Sequence, residues 1–159
     1  MEKPMSHTET YLVDSIRLAM ENVRERKTWP FGAVLVRDGK VLARSVNEVE
    51  ATCDPSAHAE MQAVRAASKA LGSTDLSGAV MYASGYPCSM CLSAMYLAGV
   101  SEVYYAYSNE DGEPYDLSAA RGYVEIARPL HEREMKLVYH RARDDGPDLY
   151  EAWQVAQGS

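Results

Sequence analysis

Two short clusters constrain this chain most: His58-Ala59-Glu60, and Pro87-Cys88-Ser89-Met90-Cys91 further along. They supply an imidazole, two thiols and one carboxylate. Three soft donors without a fourth protein ligand are the inventory of a metal site that keeps one position open for water, whereas a structural zinc site closes itself with four. Such a site can form only if the two clusters, thirty residues apart, meet in space. The fold must therefore bring the starts of two segments to one point.

The intervening pattern suggests how. Thr10 to Lys27 reads as an amphipathic helix carrying Tyr11, Ile16, Leu18, Ala19 and Val23, ended by Trp29-Pro30. Residues 1–8 read as a loose terminus. Phe31 to Val36 and Val41 to Val46 flank Asp38-Gly39, a strong hairpin signal. Asp54-Pro55 is expected to start a helix, with Asp as the N-cap and Pro in the first helical position, and Gly72 to stop it. Ala79 to Ser84 predicts a strand, Pro87 a further helix to Gly99, and Glu102 to Tyr107 another strand. Beyond a polar loop at 108–115, Asp116 to Ala127 is weakly helical, Met135 to His140 alternates as a strand, and Asp148 caps a last helix. Strands alternating with helices after an opening hairpin imply one α/β sheet covered on both faces.

In this frame both clusters open helices behind strands. Cys88 and Cys91, three apart, share one helix face. Unpaired N–H groups of a first helical turn lower thiol pKa and favour the thiolates that zinc needs. Glu60, two residues past His58, is not expected to face the same way within a regular helix, but an opening turn tolerates the divergence. A carboxylate beside an open metal position can take the proton of an activated water. The joint signature is the one used by zinc-dependent deaminases. Cys53 is read as an inert thiol, and His7, His131 and His140 as surface or core histidines.

Composition narrows the partners. With 16 Lys+Arg against 23 Asp+Glu the net charge is −7, which repels a phosphate backbone and argues against nucleic acid. Three cysteines do not make a disulfide framework, and the polar start, Met1-Glu2-Lys3-Pro4, has no apolar leader. The expectation is a cytoplasmic protein of one domain over residues 1–159, with no membrane partner.

At these residues the chain resembles the cytidine-deaminase superfamily, and within it the bacterial guanine deaminase branch. Pro30-Phe31-Gly32-Ala33, Asp54-Pro55-Ser56-Ala57-His58-Ala59-Glu60, Pro87-Cys88-Ser89-Met90-Cys91-Leu92, Pro129 with Glu132-Arg133-Glu134, and Glu151-Ala152-Trp153 carry the likeness. The resemblance implies a three-layer α/β/α sandwich around a five-stranded mixed sheet. It implies one Zn2+ per chain on His58, Cys88 and Cys91, with Glu60 as the catalytic proton carrier. It implies a nucleobase held by Phe31 on its face, by the Asn47 amide, by the backbone N–H groups of Ala57 and Cys88, and by Asp116. It also implies a homodimer, with residues 143–159 covering the pocket or swapped between copies. Relatives usually carry Cys-Glu where this chain has Gly85-Tyr86, which removes a charge beside the metal and puts a phenol at the pocket wall.

The activity so implied is hydrolysis of a free amino-purine, guanine to xanthine plus ammonia. Cytosine or a nucleoside as substrate, a tRNA adenosine deaminase, and a non-catalytic zinc-stabilised interaction module are the alternatives. Glu60 argues against the last, because a structural site has no use for it.

Overall fold

In the computed structural model, residues 5–142 and 145–158 are described. They fall into two compact units, divided after Ala127. The first unit runs α1 (His7–Arg26), β1 (Gly32–Arg37), β2 (Lys40–Val46), α2 (Val49–Thr52), α3 (Ala59–Leu71), β3 (Val80–Gly85), α4 (Ser89–Leu97), β4 (Glu102–Tyr107), α5 (Asn109–Gly112) and α6 (Ala120–Ala127).

The sheet is ordered β2-β1-β3-β4. β1 pairs antiparallel with β2 and β3, and β3 pairs parallel with β4. The hairpin turn follows from its residues: Asp38 and Gly39 both take positive φ, 51° and 71°, as a type I′ turn requires. β1 is one of the two inner strands, and its run Gly32 to Val36 is buried throughout, as expected of a strand covered on both faces.

Alternation along the strands feeds two cores. Ala33, Leu35 and Met81 face α3 and α4, meeting Ala59, Ala63, Ala67, Cys91 and Met95. Val34, Val36 and Tyr82 face the other way, packed by Tyr11, Leu12 and Leu18 of α1. Burying Leu35, Met81 and Met95 fully is worth about 1.5–3 kcal/mol each. Small residues set the layer spacing. Those of α1 that are buried are Ser15, Ala19 and Asn22, an i, i+4, i+7 stripe. A Cβ on Gly32 would lie 2.3 Å from the Ser15 carbonyl oxygen, so only glycine lets α1 approach β1 this closely.

Three expectations need correction. The sheet has four strands among the described residues, not five: Met135 to His140 enters no ladder, and Met135, Leu137, Val138 and Tyr139 are exposed. Its two-residue alternation describes a segment fit for a strand, but a strand exists only with a partner. The second correction concerns α3, which starts at Ala59 rather than Pro55. The Asp54 carboxylate is engaged in a local turn, accepting from the Ser56 N–H at 2.8 Å and the Ser56 hydroxyl at 2.6 Å. Third, α1 begins earlier than expected, in a capping box of Ser6 and Glu9. The second unit holds a short 3-10 turn at Leu130–Glu132 and α7 (Leu149–Ala156), whose N-terminus Asp148 caps as expected. Of the segment 143–159, residues 143, 144 and 159 lie outside the described residues.

Candidate metal centre

The starts of α3 and α4 meet on one face of the sheet. His58 is the N-cap of α3 and Cys88 the N-cap of α4, both in extended conformation, with φ/ψ of −67°/156° and −70°/165°. This explains how His58 and Glu60 serve one site. The N-cap residue lies outside the helical screw, so its side chain is freed from the angular spacing that would part i from i+2. Cys91 sits at the third helical position of α4, fully buried.

The donor atoms of His58, Cys88 and Cys91 all lie within 4.8 Å of one another. Cys88 Sγ is 3.5 Å from His58 Nδ1 and 3.5 Å from Cys91 Sγ. Tetrahedral zinc with ordinary bond lengths spaces two sulfurs by about 3.8 Å and a sulfur and a nitrogen by about 3.6 Å. The donor set therefore fits that ion in both chemistry and span. Glu60 is 7% exposed, and its Oε2 accepts from the Cys91 thiol at 3.6 Å.

Titration behaviour divides the two helix starts. A hydrogen bond with Cys91, and then one with His58, lowers the Cys88 thiol to about 4, so it is the ready thiolate. Cys91 is pushed up by its hydrogen bond with Cys88 and by burial, and keeps its proton until a cation takes its place. The Cys88 thiolate raises His58 above its usual value. Burial raises Glu60, moving a carboxyl group toward the range in which it can both accept and return a proton near neutral pH.

The remaining candidates are arranged less uniformly. Asn47 is fully buried, and its Oδ1 accepts from the Val49 N–H at 3.2 Å, which fixes the orientation of the amide. Its Nδ2 has no partner, a buried donor in want of an acceptor. The Asn47 N–H donates to the Phe31 carbonyl at 3.0 Å, tying these two residues together. The N–H of Ala57 is already engaged, donating to the Asp54 carbonyl at 3.0 Å. Phe31 and Tyr86 line a cavity of about 530 Å³ with Gly85, Tyr107 and Tyr115. The Phe31 ring fits against Gly85 so closely that a Cβ there would come within 2.9 Å of it. Asp116 is exposed in a left-handed turn (φ 59°) after the 3-10 turn Glu113–Tyr115.

Two residues at the site escaped the sequence reading. Asn22 of α1, buried, donates from Nδ2 to the Asn47 carbonyl at 3.0 Å and to the Trp29 carbonyl at 3.3 Å. A polar residue in line with Ser15 and Ala19 on the buried stripe was the available signal. Tyr123 of α6 donates its phenol O–H to the Pro87 carbonyl at 2.7 Å. Burial, then Tyr86, pushes its pKa up to about 12, so the phenol keeps its proton. Nothing in the local sequence marks that contact.

Residues 5–107 match the cytidine and deoxycytidylate deaminase zinc-binding region. The chain belongs to this family. It is a zinc-dependent aminohydrolase, and the His58, Cys88 and Cys91 cluster is where its one metal ion fits. It is 37% identical to a guanine deaminase of Bacillus subtilis over 94% of this chain and 95% of that one. The X-ray structure of guanine deaminase from Bacillus subtilis superposes with a TM-score of 0.85, covering 95% of each chain. A tRNA-specific adenosine deaminase of Agrobacterium fabrum is 38% identical, over 65% of this chain and 68% of its own. Among the described residues no helix is long and apolar enough to cross a membrane.

Proposed function

We propose that this protein hydrolyses the exocyclic amine of a free amino-purine base, converting guanine to xanthine and ammonia. The observation that carries the reading is the pairing of three soft donors within 4.8 Å with a buried carboxyl group at the same corner. The choice of a purine base is supported by the extent of similarity, which runs nearly end to end with a guanine deaminase and over about two thirds of the chain with a tRNA deaminase.

A zinc ion held by His58, Cys88 and Cys91 would supply Lewis acidity, lowering the pKa of a water to about 7. Glu60, beside the three ligands, would accept a proton from water activated there, hand it to the ring nitrogen beside the amine-bearing carbon, and then pass a proton to the departing amine. One C–O bond forms and one C–N bond breaks: water supplies the new carbonyl oxygen, one of its protons ends on the ring nitrogen and the other leaves with the amine as ammonia. His58, Cys88 and Cys91 hold the metal. Asn47 uses its unpartnered Nδ2 to hold an acceptor on the base, Phe31 covers the ring face, and Tyr86 and the small Ala57 bound the pocket. Asp116 reads the 2-amino and N1 side of guanine.

The partner we propose beyond the substrate is a second copy of the chain. The outer edge of β4 has no strand beside it among the described residues, and the C-terminal stretch exposes Leu149, Tyr150, Trp153 and Val155. Light scattering should give twice the mass of one chain; a monomer at assay concentration would refute this.

Ammonia release from zinc-loaded protein, measured across guanine, adenine, cytosine and their nucleosides, tests the substrate. Release from guanine at least tenfold above the others is expected. Release confined to cytosine or to a nucleoside would overturn the guanine assignment, and release from a tRNA anticodon stem alone would overturn the free-base class.

A further inference from the structure

The corner that presents Cys88 is clamped from outside the metal centre. Pro87 directly precedes Cys88, and its carbonyl accepts the Tyr123 phenol at 2.7 Å across 36 residues of chain. Tyr123 in turn packs edge-on against Tyr86, with ring centroids 5.7 Å apart at 80°. Tyr86 packs edge-on against Tyr105 of β4, 4.9 Å away at 64°. The peptide before the ligand is thus held by a hydrogen bond from the first ring of a three-ring chain anchored in the sheet. α6 also lies close to the first turn of α4: a Cβ on Gly122 would sit 3.4 Å from Ser89 Oγ.

Of the two thiols, Cys88 has the greater use for such a grip. Cys91 is fully buried in the core, and His58 precedes a helix whose Ala59, Ala63 and Ala67 are fully buried. Cys88, like His58, is a half-buried ligand at an N-cap with no side-chain cap of its own. The partners that orient metal ligands from behind commonly control metal affinity or activity by about 10–100-fold.

We propose that Tyr123 is a positioning residue of the metal centre: its O–H, held in place by Tyr86 and Tyr105, fixes the Pro87 carbonyl and thereby the direction in which Cys88 offers its sulfur. The proposal rests on the metal-centre reading above. Its chemistry is specific to the phenol, since a phenylalanine retains the ring stacking and loses only the hydrogen bond.

The test compares zinc-loaded wild type, Tyr123→Phe and Tyr104→Phe. Tyr104 also donates a phenol hydrogen bond, to Glu102 at 2.6 Å, but on β4 away from the ligands, so it reports a generic loss. Zinc release to excess chelator is followed below the melting range, together with the ligand-field absorption of the cobalt-substituted proteins. Tyr123→Phe should release zinc at least tenfold faster than wild type and shift the cobalt bands, while Tyr104→Phe matches wild type in both. Release within twofold of wild type with unshifted bands overturns the proposal. So does equal acceleration in both variants, which would mark a loss of general stability. A wild type that retains no zinc overturns the metal-centre reading itself, an outcome distinct from either.

Discussion

The two helix starts that build the site share one backbone geometry and differ in everything else. At α3, His58 offers an imidazole and Glu60 a carboxyl raised by burial, beside a helix sunk into the core through Ala59, Ala63 and Ala67. At α4, Cys88 and Cys91 hold a single proton between them, and the more exposed sulfur is steadied by a tyrosine from α6. The α3 start supplies the proton carrier and the α4 start most of the charge that holds the cation. An N-cap residue can aim its side chain independently of the helix that follows, so the same local conformation serves a ligand beside a carboxylate and a ligand paired with another ligand.

If that division holds, damage at α4 should cost the metal first. Cys91→Ala removes a buried thiolate ligand, and the isolated protein should carry less than a tenth of the wild-type zinc, with ammonia release down by about three orders of magnitude or more. Metal content by elemental analysis checks it. Full zinc content in that variant would place the cation elsewhere.

A smaller effect separates the two starts by pH. Zinc uptake near neutrality must displace the proton of Cys91, so apparent affinity should fall about tenfold for each unit of acidification. Below the raised pKa of His58 a second proton must leave, and the fall should steepen to about a hundredfold per unit. The sign follows from both groups binding metal only when deprotonated. Chelator competition between pH 5 and 8.5 would show the break. In His58→Ala it should vanish while the shallower slope persists; a flat profile would contradict the assignment of charge to α4.

How much of this was visible in the sequence depends on the reach of each interaction. The ligand clusters, the Asp38-Gly39 turn and the Gly72 stop are short-range features, and each is where the residues put it. Asp54-Pro55 misled because an aspartate can satisfy either a helix end or its own turn, and the Ser56 hydroxyl decided for the turn. The Ser6 to Glu9 box was readable and was passed over among polar terminal residues. The alternation at Met135 to His140 describes a surface but not a neighbour, since pairing is decided by distant residues. Tyr123 was invisible for the same reason: its partner is 36 positions away, and a tyrosine on a weak helix looks like any other. The identity of the base rests on side chains, such as Tyr86, whose surroundings only the fold supplies.

The central claim is that Glu60 moves protons and does not hold the metal. It is tested most directly by measuring zinc content and ammonia release on one preparation of Glu60→Gln. The expected result is about one zinc per chain, as in wild type, with turnover reduced by about two to four orders of magnitude. Undiminished turnover, or loss of the metal with the carboxylate, would contradict it.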